Sequence, residues 1–143
     1  MEKIGKIIAF CCAESAYRAA DRAGRLKILY PDNVRVIRVP CTGRVSVLHI
    51  LKAFEKGAAG VLVMGCHEDA CRHLTGNIRA KGRVKYAQRL LEEVGIDGER
   101  VKMVNLGPEM AQQFAREVKE MVEKIKDGSP PKNHRFSMVN KEE

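Results

Sequence analysis

The sequence predicts a single-domain α/β protein, a three-layer sandwich in which helices cover both faces of a roughly four-stranded parallel sheet. Three observations carry that expectation. Short apolar runs suited to strands buried on both faces recur at Lys6 to Cys12, Val34 to Pro40, Gly60 to Gly65 and Val101 to Leu106. Each run is followed by a stretch with helical apolar spacing, and four such βα units joined by right-handed crossovers put helices on both faces. All five cysteines lie at or just beyond strand ends, so parallel neighbouring strands would gather them on one rim. This is a flavodoxin/Rossmann-like plan, in which functional groups collect beyond the strands' carboxyl ends, near the switch in strand order.

Taken in order, Lys6-Ile-Ile-Ala-Phe-Cys11-Cys12 reads as the central strand. Ala13 to Arg25 follows as a helix whose small face is Ala16, Ala19, Ala20 and Ala23. Asp32-Asn33 turns the chain into the second strand, which ends at Cys41, and Thr42-Gly43-Arg44 forms the next loop. Ser46 is an N-cap for a helix burying Val47, Ile50, Leu51 and Phe54, and Gly57 stops it. The third strand ends at Cys66, opening a loop rich in ligand-type side chains: Cys66-His67-Glu68-Asp69-Ala70-Cys71-Arg72-His73. Gly76-Asn77 is expected to close that loop.

A helix burying Val84, Ala87, Leu91 and Val94 then runs to Gly95. The fourth strand leads to Gly107-Pro108, where the last helix is expected to start, with Ala111, Phe114, Ala115, Val118, Met121, Val122 and Ile125 inside. Asp127-Gly128-Ser129-Pro130-Pro131 breaks structure. The expected division is therefore a domain over residues 1–128 and a tail over 129–143.

Composition narrows the class. The chain has 143 residues, 45% apolar and 31% charged, within the range of one globular domain. Met1-Glu2-Lys3 leads straight into a strand and no apolar stretch approaches the ~20 residues of a membrane span, so a cytoplasmic protein without membrane partners is expected. An odd cysteine count rules out complete internal pairing and favours metal or redox chemistry over structural disulfides. The formal charge of +8 favours acidic partners. From Ala70 to Leu91 the basic residues Arg72, Arg79, Lys81, Arg83, Lys85 and Arg89 occur without a carboxylate. They form either a solvated helix face or a positive surface that favours thiolates, an anionic cluster or an acidic docking partner. Nucleic acid is disfavoured, because only Tyr86 could stack on a base and no recognition motif is present.

Five thiols at one rim suit a [2Fe–2S] cluster, which commonly takes four thiolates. Zinc could use the same sulfurs with His67 or His73, but the paired Cys-x2-Cys knuckles of structural zinc sites are missing. Cys12 and Arg18 stand in a Cys-x5-Arg spacing that resembles the phosphate loop of low-molecular-weight tyrosine phosphatases. Here, however, Ala13, Glu14 and Ala19 occupy the critical positions, and Glu14 would repel phosphate.

Several stretches together carry a family resemblance. They are Phe10-Cys11-Cys12 with Tyr17 and Ala20-Asp21; Val36 to Val39 leading to Cys41-Thr42-Gly43-Arg44; and Gly60 to Val63 leading to Gly65-Cys66-His67, Cys71-Arg72-His73 and Gly76-Asn77. In order and spacing, over roughly residues 5–126, the chain resembles the delta subunit family of methyl-viologen-reducing hydrogenases. The resemblance implies a small iron–sulfur protein or domain with a [2Fe–2S] cluster. Its partners would be the A-subunit of a heterodisulfide reductase and an electron donor such as a nickel–iron hydrogenase, a formate dehydrogenase or another flavin-dependent enzyme. The family pattern reads Cys-Cys-x-x-Cys in the first loop, and here the third position is Ser15. Either Cys11 or Cys12 then serves in its place, or a serine oxygen ligates.

The expected ligands are Cys41, Cys66 and Cys71, with Cys12 as the fourth and Cys11 in reserve, because adjacent residues on a strand point to opposite faces. Ser15 is not expected to ligate. Arg72, Arg79, Arg83 and Lys85 are the expected partner-docking residues. The expected role is an electron-transfer subunit without turnover of its own; the alternative is a binding or assembly module that keeps the fold but holds no cluster.

Overall fold

A computed structural model describes residues 5–67 and 75–127. The four strands are β1 (Ile7–Cys12), β2 (Val34–Val39), β3 (Gly60–Gly65) and β4 (Val101–Asn105). The helices are α1 (Ala16–Arg25), α2 (Val47–Glu55), α3 (Gly76–Glu93) and α4 (Ala111–Asp127), with 3₁₀ turns at Thr42–Arg44 and Gly98–Arg100. The sheet is wholly parallel in the order β2-β1-β3-β4, so the order reverses between β1 and β3. No described helix is long and apolar enough to cross a membrane.

Alternation along the strands builds two cores. Ile7, Ala9 and Cys11 of β1, with Leu62 and Met64 of β3, face α1 and α4; on that side Ala16, Ala19 and Ala23 let α1 lie close, and Phe114, Val118 and Ile125 fill the space beneath α4. Phe10, Val61 and Val63 point the other way, against Ile50 and Phe54 of α2 and Ala80, Val84, Ala87 and Leu91 of α3. Because β1 and β3 are covered on both sides, they carry almost unbroken apolar sequence. The edge strand β2 is less covered, with Arg35, Ile37 and Arg38 exposed. The expected helix ends hold at Gly57 (φ +100°) and Gly95 (φ +86°), left-handed positions that a side chain would resist.

Three boundaries differ from expectation, each for a hydrogen-bonding reason. Helix α1 starts at Ala16, not Ala13, because the Ala13 amide still donates to Val39 O (2.8 Å) as part of the sheet, and Ser15 N–H closes a turn onto Cys12 O (3.2 Å). Helix α4 starts at Ala111, not Gly107: Leu106 N–H bonds Gly65 O (2.7 Å), Met110 N–H turns back to Gly107 O (3.1 Å), and Met110 O takes the first helical bond from Phe114. Gly76 and Asn77 do not close the loop but form the first turn of α3, whose Arg79 N–H reaches Thr75 O (2.9 Å). Ser46 caps α2 as expected, in a reciprocal box with His49.

Cys11 belongs to the core and has no access to water. Its thiol lies 4.0 Å from Met64 Sδ, and burial, followed by the proximity of Cys12, pushes its pKa up to about 12. The folded state therefore keeps a proton that the unfolded chain releases above about pH 9, the ordinary range of a thiol. Stability is fully present below pH 9 and falls as pH rises toward 12, by at most about 1.4 kcal/mol per pH unit from this group. Denaturant titrations of the metal-free chain should show this alkaline slope, and Cys11→Ala, although less stable throughout, should show a shallower one; equal slopes would contradict the assignment.

Candidate metal centre

Every described cysteine apart from Cys11 sits at the carboxyl edge of the sheet, around the reversal between β1 and β3. Cys12 is the last residue of β1, on the face opposite Cys11, and its Sγ lies 3.9 Å from Pro40 O, the residue before Cys41. Cys41 opens the 3₁₀ turn, and its Sγ accepts a hydrogen bond from Gly43 N–H at 3.4 Å. Cys66 directly follows β3, and its Sγ receives the Asn77 side-chain amide at 3.7 Å. All three side chains are buried yet lie at the rim, with 5%, 5% and 7% exposure in order. Glu68, Asp69, Cys71 and His73, the other ligand-type residues expected in the third loop, lie outside the described residues, as does Arg72.

The loop that carries Cys41 is brought across the end of β1 to β3. Thr42 covers Gly65, where an added Cβ would lie 3.0 Å from Thr42 Oγ1. Gly43 meets the first turn of α3 so closely that a Cβ there would lie 2.9 Å from Gly76 Cα. Arg83, half-buried on α3, donates to Gly43 O and to Val45 O (3.2 Å), pinning the middle and the exit of the turn. The sequence places Arg83 on a docking surface; its guanidinium is instead engaged within the molecule. Arg79 and Lys85 are exposed, and the Arg79 guanidinium lies beside Gly43.

The exit of β3 at Cys66 and His67 is held by two asparagines. Asn77 donates to Cys66 O (3.2 Å) and His67 O (2.8 Å), and Asn105, the residue paired with Gly65 at the end of β4, donates to Cys66 O (2.6 Å). Asn105 is not among the residues that sequence reasoning selects. The rule that singles out the cysteines, a polar residue at a strand's carboxyl end, would have found it. On the β1 side, Glu14 pairs with Arg18 (3.5 Å) and Arg38 lies over the Tyr17 ring (5.7 Å to its centre). Arg18 is thus exposed and beside Glu14, the carboxylate that would repel phosphate.

The donors suit a thiolate-bound cluster in kind. Thiolates need compensation when taken out of water, and two of the three sulfurs have an N–H directed at them. The hydroxyl of Ser15, whose backbone N–H bonds Cys12 O, is buried without a hydrogen-bond partner among the described residues. Among the described residues, no three histidine, cysteine or carboxylate side chains converge on one point. Cys12, Cys41 and Cys66 therefore do not form a compact mononuclear site by themselves.

Comparison with known proteins gives the family. The family described as methyl-viologen-reducing hydrogenase, delta subunit, matches residues 7–127. The chain is 45% identical over 130 residues to the vhu iron-sulfur D-subunit of the F420-non-reducing hydrogenase of Methanopyrus kandleri, covering 91% of this chain and 98% of that protein. It is 42% identical over 124 residues to the protein of the same name from Methanocaldococcus jannaschii, covering 87% and 92%. A third relative is the A-subunit of the ferredoxin/F(420)H(2)-dependent CoB-CoM heterodisulfide reductase of Methanosarcina acetivorans. It is 36% identical over 87% of this chain, but the match spans only 16% of that larger protein. The chain belongs to the methyl-viologen-reducing hydrogenase delta subunit family.

Proposed function

We propose that this chain is the [2Fe–2S] electron-transfer subunit of a cytoplasmic oxidoreductase complex, standing between a hydrogenase or formate dehydrogenase type donor and an acceptor like the A-subunit of heterodisulfide reductase. The observation that carries the reading is the gathering of Cys12, Cys41 and Cys66 at one sheet edge, with N–H donors on two of the sulfurs. The names of the relatives support it: some are iron–sulfur subunits of hydrogenases, and in others the same stretch is part of a heterodisulfide reductase A-subunit.

Cys12, Cys41, Cys66 and Cys71 would hold the cluster. When bound, it supplies one-electron transfer. The chain's own residues do the rest. Gly43 N–H and the Asn77 amide offset charge on the Cys41 and Cys66 sulfurs; hydrogen bonds to sulfur are one of the terms that set a cluster's potential. Thr42 and Val45, both buried, keep water from the inner side of the Cys41 turn. Cys11 stays outside the set, because its thiol is committed to the opposite core and holds its proton. A cluster-free binding or assembly module is the second reading. The observation on its side is the lack of three converging ligands among the described residues.

Two experiments check this reading. Anaerobically reconstituted Cys→Ser variants, scored by iron per folded chain, should lose most of their iron at Cys12, Cys41, Cys66 or Cys71 and retain it at Cys11. Full occupancy without Cys41 or Cys66 would overturn the ligand set. The exposed Arg79 and Lys85, with Arg72, are proposed to dock an acidic face of the acceptor. Exposed charges are screened over about 8 Å at physiological ionic strength, so affinity for a heterodisulfide reductase partner of this kind should fall steeply with salt. The Arg79→Ala, Lys85→Ala double variant should show a weaker salt dependence; an affinity flat with salt would make these residues a solvated face.

A further inference from the structure

Ser15 occupies the N-cap position of α1, where a serine side chain ordinarily accepts a hydrogen bond from the second or third helical amide. Here it does not. Its backbone stands at φ −139°, ψ −80°, away from the usual cap conformation, and the hydroxyl makes no capping bond. The side chain is only 2% exposed, and its Oγ has no hydrogen-bond partner among the described residues. A buried hydroxyl without a partner is costly, and such groups in native proteins ordinarily have a use or an unplaced neighbour. A serine that merely ended a helix would have turned to the free amides beside it.

Its location suggests the use. Ser15 N–H donates to Cys12 O (3.2 Å), so the turn that carries the hydroxyl is closed on the residue that ends β1 at the sulfur rim. The Cys41 and Cys66 sulfurs each have an N–H donor, whereas Cys12 has none among the described residues and is itself directed at Pro40 O. The Oγ is bonded neither to Cys12 Sγ nor to any other described group, so it is a buried donor left over three residues from a rim cysteine.

We propose that the Ser15 hydroxyl donates a hydrogen bond to a sulfur of the bound cluster on its Cys12 side, and so favours the reduced state. This rests on the proposed cluster. Sulfur carries more negative charge after reduction, so an O–H donor binds the reduced form more tightly and raises the potential. Ser15 is a donor here and not a ligand: an oxygen ligand would be required for iron to stay bound, whereas a donor is required only for the potential.

The test is an EPR-monitored redox titration of the anaerobically loaded full chain, with iron counted in every sample. Ser15→Ala should hold as much iron as the unmodified chain but reduce with an equilibrium constant about tenfold less favourable, a downward shift of about 59 mV for one electron. Ser15→Thr, which keeps a hydroxyl, should remain near the unmodified value. If alanine does not fold, Ser15→Thr against Ser15→Val makes the same comparison at constant shape. Iron-loaded variants of equal potential would overturn this inference alone. Loss of iron from the alanine variant but not the threonine variant would overturn it too, by making the oxygen a ligand. An unmodified chain that takes up no iron would instead contradict the proposed function, and this inference with it.

Discussion

The close approach of two backbones, Gly43 in the Cys41 turn and Gly76 at the start of α3, is the constraint on which the rim depends. The strand order puts β1 between β2 and β3, so a turn leaving β2 must cross the end of β1 before it can meet β3. It does so only because neither contact point carries a side chain. A Cβ on Gly43 would strike the backbone of Gly76, and one on Gly65 would press on Thr42. Side chains could bend away from such a clash; the backbone of a helix's first turn cannot do so without moving the helix. Arg83, from the same helix as Gly76, then fixes the turn by donating to the carbonyls of Gly43 and Val45. Cys41 is thereby drawn from an edge strand toward Cys66, which ends an interior one.

Strand alternation explains why adjacent thiols behave differently. Cys11 and Cys12 share a covalent neighbourhood and little else: one points into the α1/α4 core against Met64, the other emerges toward Pro40. Burial is the main reason the first stays protonated at any ordinary pH. The second is at the rim, where Glu14 is paired by Arg18 and the Arg79 guanidinium stands beside the Cys41 turn. A chain with formal charge +8 surrounds its thiols with a field that favours anions, a long-range bias in the direction that thiolates require.

Much of the architecture is legible in the sequence because its signals are local. Four apolar runs of strand length, small residues along α1, a serine cap and two helix-stopping glycines each depend on a few neighbouring residues, and each matches an element of the fold. Two of the displaced boundaries turn on hydrogen bonds to distant segments: Ala13 to Val39, Leu106 to Gly65. No local pattern reports those. The same limit applies at the rim. Cysteines at strand ends announce a site, and strand periodicity separates Cys11 from Cys12, but the sequence does not assign Arg83 to the Cys41 turn or Asn77 and Asn105 to the Cys66 carbonyl. Those roles depend on crossing the sheet. In the sequence Arg83 is one more charge on a basic face, and its half-buried position is a property of the packed turn.

The central claim is that the rim holds a two-iron cluster carrying single electrons. The most direct measurement is iron and acid-labile sulfide analysis of the full chain produced and kept without oxygen, with EPR after chemical reduction. The account predicts about two irons and about two sulfides per chain and a signal from one unpaired electron that appears on reduction, as a [2Fe–2S] cluster requires. A folded chain that stays free of iron under those conditions, with all five thiols titrating as free cysteines once it is unfolded, would contradict it.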